Sequence, residues 1–196
     1  MIALLRPALA LLALMTLLTG LIYPALVTGI GEIFFLEQAN GSLIRIDGEV
    51  AGSRLIGQPF SSSRYFWGRP SATAPYPYNA AASAGSNLAP TNPVLLESVH
   101  ARIEALRSAD PGNTAPIPVD LVTASGSGLD PDISLAAARF QIPRVARARG
   151  LREPLVRTLV DQHVAGRTLG LLGEPRVNVL DLNLALDHPG RFGPNE

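Results

Sequence analysis

The chain has 196 residues, no cysteine and no lysine, and its 16 arginines are balanced by 16 acidic residues. The missing thiols exclude cysteine catalysis, Cys-type zinc sites and disulfides, and the neutral balance gives no electrostatic case for nucleic-acid binding. With 18 glycines and 17 prolines, a turn-rich and partly irregular chain is expected.

Pro7 to Gly31 carries no charged residue. A helix rises about 1.5 Å per residue and the bilayer core is about 30 Å thick, so about 20 apolar residues span it. The stretch therefore predicts a transmembrane helix over 7–31, tolerant of Pro24, Gly20, Gly29 and Gly31. A cleaved signal peptide is the competing reading, but its apolar core usually runs about 7–15 residues. Arg6 and the amino terminus precede the stretch, and Glu32 and Glu37 follow it. The positive-inside rule then predicts a cytoplasmic N-terminus over 1–6 and an extracytoplasmic, periplasmic domain over 32–196. Thr16, Thr19 and Gly20 offer a small-residue face for packing against partner helices.

The residues after the span suffice for one globular core. Phe34 to Asn40 continues as helix or a juxtamembrane linker. Asp47-Gly48 between two β-prone runs, Ser42–Asp47 and Glu49–Ile56, predicts a hairpin, because glycine accepts positive φ freely. Gly57 to Pro93 is irregular, with six prolines and the aromatics Phe60, Tyr65, Phe66, Trp67, Tyr76 and Tyr78. So many aromatics argue against disorder. Tyr65, Phe66, Trp67 and Arg69 are then either an ordered loop packed on the domain or a partner-binding surface.

Asn92-Pro93 opens a helix bearing Leu95, Leu96, Val99, Ile103 and Leu106 at helical spacing. Val119–Ala124 reads as a buried strand. Ser134 or Asp132 caps the next helix, with Leu135, Ala138, Ile142, Val145 and Ala146 on one face. Pro143 is expected to kink or split it, and Gly150 to end it. Pro154 opens a further helix ending at Gly166. Leu180, Leu182, Leu184 and Leu186 alternate with Asp181, Asn183 and Ala185, so Val177–Leu186 reads as a strand. The fold class is mixed α/β (α+β-like): a single N-terminal transmembrane helix and one domain with a small sheet.

Candidate chemistry is sparse. Ser125-Gly-Ser127-Gly before a helix resembles a nucleophile elbow, but the glycine two residues before Ser127 is missing. With His163, Ser125 or Ser127 defines the alternative reading, a membrane-anchored exported serine hydrolase. A glycine-rich turn with a cap is the simpler account. Phosphate binding at that turn lacks the lysine of the P-loop pattern. Asp130 and Asp132 could attract a cation, or Asp132 could cap. His100, His163 and His188 lack metal-ligand spacing, and no metal site is expected. The arginines from 139 to 152 are expected to form a solvated helix face.

Several stretches together carry a resemblance. They are Gly52–Gln58 with Phe60, Tyr65–Ser71, Tyr78-Asn79, Gly85–Pro93, Val119–Pro131 with Ile133-Ser134, Gln141–Ala146, Ala148–Gly150, Gly173–Leu180 and Leu182–Leu186. In this order they resemble the KdpC family, the C subunits of bacterial Kdp potassium-transporting ATPases. The likeness covers nearly the whole chain. Ala84 and Ala89 stand where the family commonly has glycine, and Asp132 where it commonly has histidine.

The resemblance implies a non-catalytic accessory subunit in the bacterial inner membrane. Its partners would be a potassium-conducting channel-like subunit, a P-type ATPase subunit and a small one-span subunit. It would assist assembly and raise the ATP affinity of the pump subunit as a catalytic chaperone. No cofactor would be tightly bound, ATP and K+ being handled by the complex. A nucleotide contact, if any, would fall at Gln141. A domain outside the membrane cannot touch cytoplasmic ATP, so its location instead suggests covering the outer potassium entrance. Ser125, Ser127, Asp130 and Asp132 are the candidates there, with Tyr65, Phe66, Trp67 and Arg69 as partner contacts.

Overall fold

The computed structural model describes residues 2–190. Met1 and residues 191–196, the outer limits of the expected cytoplasmic end and periplasmic domain, lie outside the described residues. The chain divides into two compact units, Met1–Leu43 and Ile44–Glu196.

The first unit is almost entirely helical. Helix α1 (Ile2–Leu17), a π-helical turn (Leu18–Ile22) and α2 (Tyr23–Phe34) follow one another without a break. Leu4–Phe34, 31 residues of mean hydropathy 2.1, is long and apolar enough to cross a membrane. The short helix α3 (Leu36–Ala39) continues it, as expected for this linker.

A hairpin opens the second unit, its first strand starting at the boundary residue Leu43. Strands β1 (Leu43–Ile46) and β2 (Glu49–Ser53) pair across Asp47 and Gly48, which both take positive φ, 51° and 88°. That is the backbone a two-residue hairpin turn requires. Residues 57–92 are irregular apart from one 3-10 turn at Ala80–Ala82. Helix α4 (Pro93–Ala109) starts where Asn92 Oδ1 accepts the Val94 N–H at 3.0 Å. Its predicted apolar stripe is only partly used, with Leu106 buried and Leu96 exposed.

Strand β3 (Asp132–Ser134) leads straight into α5 (Leu135–Arg149), capped by Ser134 Oγ on the Ala137 N–H. Gly150, at φ 67°, ends it. Helix α6 (Glu153–Gln162), β4 (Val164–Ala165), β5 (Arg176–Asn178) and α7 (Val179–Asp187) complete the unit. The three short strands form an antiparallel sheet in the order β3-β5-β4, with Val177 opposite both Ile133 and Val164. Phe66, Leu121, Ile142, Val156, Val177 and Leu182 are among the fully buried residues of the main core. Each such side chain contributes about 1.5–3 kcal/mol by leaving water.

Four expectations are corrected. Val177–Leu186 is a three-residue strand followed by a helix, because Asn178 Oδ1 accepts the Asp181 N–H and starts α7. All four leucines are buried because α7 is covered on two sides. Leu182 and Leu186 enter the main core, while Leu180 and Leu184 join Ile44 in a second cluster. That double burial mimics a period of two. Val119–Ala124 is not a strand. Val119–Leu121 forms a 3-10 turn in which Leu121 is buried and Val119 is 70% exposed. Of the two outcomes expected at Pro143, the split does not occur: α5 runs through it and forgoes the bond its missing N–H would make. Finally, α6 stops at Gln162 with His163 as its cap, and Val164-Ala165 passes into the sheet instead of running on to Gly166.

Candidate functional site

The irregular stretch 57–92 has no sheet to satisfy its backbone, so its buried peptide groups need partners elsewhere. At Phe66 and Trp67 two carboxamides supply them. Asn183 Oδ1 accepts the Phe66 N–H at 2.8 Å, and its Nδ2 donates to the Phe66 carbonyl at 3.0 Å. Gln141 Oε1 accepts the Trp67 N–H at 2.8 Å, and its Nε2 donates to the Trp67 carbonyl at 3.1 Å. A carboxamide carries the donor and acceptor of a peptide group. Helices α7 and α5 thus each hold one residue of the turn as a neighbouring strand would.

The tryptophan is held by more than its backbone. Its Nε1–H donates to the Ser62 carbonyl at 2.9 Å. The Arg144 guanidinium lies 4.5 Å from the ring centroid and that of Arg102 5.2 Å. Arg144 also donates to the Ser63 carbonyl and to Gln141 Oε1. Burial pushes its pKa down to about 10, opposed by nearby Asp110 and assisted by Arg102. Arg102 donates to the carbonyls of Leu121 and Gly68, and burial lowers its pKa as well. Gly68 is required here, since a Cβ would stand 2.8 Å from the Tyr78 hydroxyl. That hydroxyl donates to the Arg69 carbonyl at 2.6 Å.

At the rim, Tyr65 donates its hydroxyl to Asp187 at 2.8 Å, and that bond, then burial, raises its pKa. Arg149 sits 4.9 Å from the Tyr65 ring and pairs with Asp187 at 2.8 Å. The expected solvated arginine face is therefore corrected at two positions. Arg144 is buried and the Arg149 side chain nearly so, because Arg144 stacks on the buried Trp67 and Arg149 is covered by the Tyr65 ring and Asp187.

The other candidate residues are also engaged. Arg69 pairs with Asp130 at 3.0 Å and donates to the Ala124 carbonyl. Asp132 pairs with Arg176 at 2.9 Å, and Ser134, not Asp132, caps α5. Burial raises the Asp132 pKa, with Arg176 pulling it back. Ser125 is buried, and its N–H donates to the Pro70 carbonyl. Ser127 Oγ accepts the Leu129 N–H at 3.1 Å. Among the described residues neither serine is bonded to a histidine. His163 Nδ1 donates to the Leu159 carbonyl at the end of its own helix. No group of three or more His, Asp or Glu side chains is gathered for a metal among the described residues. Gln141 is 1% exposed with both ends of its carboxamide bonded, so any contact with a nucleotide would have to break the hold on Trp67.

Sequence reasoning missed a surface feature between β4 and β5. Leu169, Leu171 and Leu172 are 87%, 80% and 63% exposed. The loop that carries them is shaped. Thr168 and Leu172 exchange backbone hydrogen bonds, and Arg167 holds Glu174 through both carboxylate oxygens at 2.8–2.9 Å. Leu169, Gly170 and Gly173 all have positive φ. The signal was legible as leucines punctuated by two turn glycines, a pattern of neither helix nor strand. Asn183 escapes sequence reasoning too, because a period-two pattern puts it on the face opposite the leucines.

A family model described as the K+-transporting ATPase c chain, KdpC, matches residues 5–188. The chain belongs to the KdpC family. It is 68% identical over 184 residues to the potassium-transporting ATPase KdpC subunit of Methylibium petroleiphilum, covering 94% of this chain and 96% of the relative. The subunit of the same name from Methylococcus capsulatus is 65% identical over 93% of this chain and 96% of its own length. That from Sorangium cellulosum is 66% identical over 95% and 98%. KdpC membership agrees with the resemblance read from the sequence. Three of the stretches that carried it, Tyr65–Ser71, Gln141–Ala146 and Leu182–Leu186, meet in this KdpC chain around the Phe66–Trp67 turn.

Proposed function

We propose that this chain is a non-catalytic accessory subunit of an ATP-driven potassium-uptake complex. It is anchored in the bacterial inner membrane by its single apolar helix, with the N-terminus cytoplasmic and the domain periplasmic. It assists assembly of the channel-like, P-type ATPase and small one-span subunits and raises the ATP affinity of the pump subunit. With the domain outside, that effect on ATP is transmitted through partner subunits. The observation that carries the reading is the shaped leucine loop at 167–174. A monomer gains nothing by holding three leucines in water on a closed, ion-paired base, whereas a partner surface that covers them gains apolar burial. The paired states of Asp130, Asp132, Arg69 and Arg176 support a scaffold in preference to a reactive centre.

The test is purification through a C-terminal tag in mild detergent from potassium-starved cells, assayed for potassium-stimulated ATPase activity. Activity arriving with large polytopic partners is the expected result. A solitary protein that supports no hydrolysis refutes the reading. Because the chain has no cysteine, a single Glu174→Cys variant labelled by an impermeant maleimide on intact spheroplasts reports the orientation.

A further inference from the structure

The π-helical turn Leu18–Ile22 sits inside the apolar helix and changes one hydrogen bond. The Tyr23 N–H donates to the carbonyl of Leu18, five residues back. In a regular α-helix it would serve Thr19. The π-helical donor position for Thr19 is Pro24, which has no N–H. The Thr19 carbonyl is thereby left without an α-helical or a π-helical donor. The Gly20 carbonyl loses its own α-helical donor to the same proline. The Thr19 hydroxyl gives no relief, since it donates one turn back to the Met15 carbonyl at 2.7 Å.

Thr19 is the midpoint of the Leu4–Phe34 stretch, where surrounding hydrocarbon offers no donor. A bare carbonyl at that depth carries a large penalty until something satisfies it. The neighbouring surface is open. Nothing lies within 4 Å of where a Gly20 Cβ would stand, and Leu9, Leu12, Ala13, Thr16, Leu17 and Gly20 line a shallow groove along this part of the helix. Small residues in such a groove let a second helix backbone come close.

We propose that the Thr19 carbonyl is the acceptor for an uncharged hydrogen-bond donor, a hydroxyl, amide or indole N–H, on a transmembrane helix of another subunit. The electrostatic match is specific, because the exposed partial negative charge calls for a donor and the hydrocarbon supplies none. The π-turn and Pro24 thus mark one depth at which the partner helix is held in register. This inference rests on the subunit reading above.

The experiment uses the full chain, with 13C at threonine carbonyls and 15N in glycine, in lipid bilayers. Only two Thr-Gly peptides exist, Thr19-Gly20 and Thr28-Gly29. Solid-state NMR therefore gives two carbonyl signals, and Thr28, inside regular α2, is the internal reference. The Thr19 signal is expected upfield of Thr28 in the chain alone and shifted downfield towards it in the assembled complex. An unchanged position on assembly, or a downfield position already in the chain alone through water or a second copy, overturns the proposal. Pro24→Ala restores an N–H for its α-helical acceptor Gly20 and so permits the regular register, in which the Tyr23 N–H serves Thr19, and Thr19 is expected in the bonded position without partners. Complex recovered in detergent should then fall by roughly threefold to thirtyfold, the worth of one interhelical hydrogen bond. Undiminished recovery of the Pro24→Ala complex overturns the proposal. Failure of the wild-type chain to recruit any partner is a different outcome, which removes the subunit reading itself.

Discussion

Replacing Gln141 with leucine tests the clamp on Trp67 directly. The substitution keeps an apolar side chain of similar volume in a buried site and deletes the carboxamide. Four hydrogen bonds go: two to the Trp67 backbone at 2.8 and 3.1 Å, one to the Ala137 carbonyl at 3.3 Å, and one from Arg144 at 2.6 Å. The Ala137 carbonyl keeps its helical donor. The Trp67 N–H, the Trp67 carbonyl and one Arg144 N–H are left without a protein partner. A buried polar group so abandoned costs about 1–3 kcal/mol, which puts the loss at about 4 kcal/mol. That is a large share of a typical domain stability of about 5–15 kcal/mol. Trp67 is the lone tryptophan, so its fluorescence reports this turn in urea unfolding of the full chain in mild detergent. With a slope of about 2 kcal/mol per molar, the midpoint should fall by about 2 M. A fall of less than about 0.5 M would refute the reasoning and mean that water or a shifted side chain replaces the carboxamide without loss.

Asn183→Leu strands the Phe66 N–H and carbonyl alone and should cost about 3 kcal/mol by the same measurement. Paired Leu169→Asp and Leu171→Asp should leave the unfolding free energy within about 0.5 kcal/mol of the parent, since both side chains are exposed. The same pair should greatly reduce recovery of partner subunits, and full recovery would remove the leucine loop as a docking element. Asp132 has a folded-state pKa above its unfolded value, chiefly through burial. Its protonation therefore favours the folded state, and its contribution is lost as pH rises through the folded-state pKa. Urea midpoints at pH 4 and pH 7 should show the parent losing stability relative to Asp132→Asn at the higher pH, and an opposite slope would reject the assignment.

Local rules located the elements whose boundaries are marked by backbone chemistry. Asp47-Gly48, Asn92-Pro93, Ser134 and Gly150 each favour a turn or cap, and they sit where one occurs. Periodicity failed at α7 because it assumes one wet face and one dry face. With Leu180 and Leu184 covered on one side and Leu182 and Leu186 on the other, no wet face remained to give a helical period. The aromatic turn was legible as unusual, but its fastening was not. Gln141 lies 74 positions from Trp67, and Asn183 lies 117 from Phe66. Such long-range pairings leave no mark in local spacing. Of the aromatics, Phe66 and Trp67 lie inside, as an ordered loop packed on its own domain, and Tyr65 stays at the rim.

The double burial of α7 also bears on how the domain opens. The cluster of Ile44, Leu180 and Leu184 has few members, and two of them belong to the helix that also closes the main core. Once the hairpin lifts away, α7 keeps Leu182 and Leu186 in place, so the hairpin can open while the helix does not. In native-state hydrogen exchange the β1–β2 amides should therefore exchange through a low-energy local opening. The α7 amides should wait for global unfolding, a graded order of release set by one helix serving two layers.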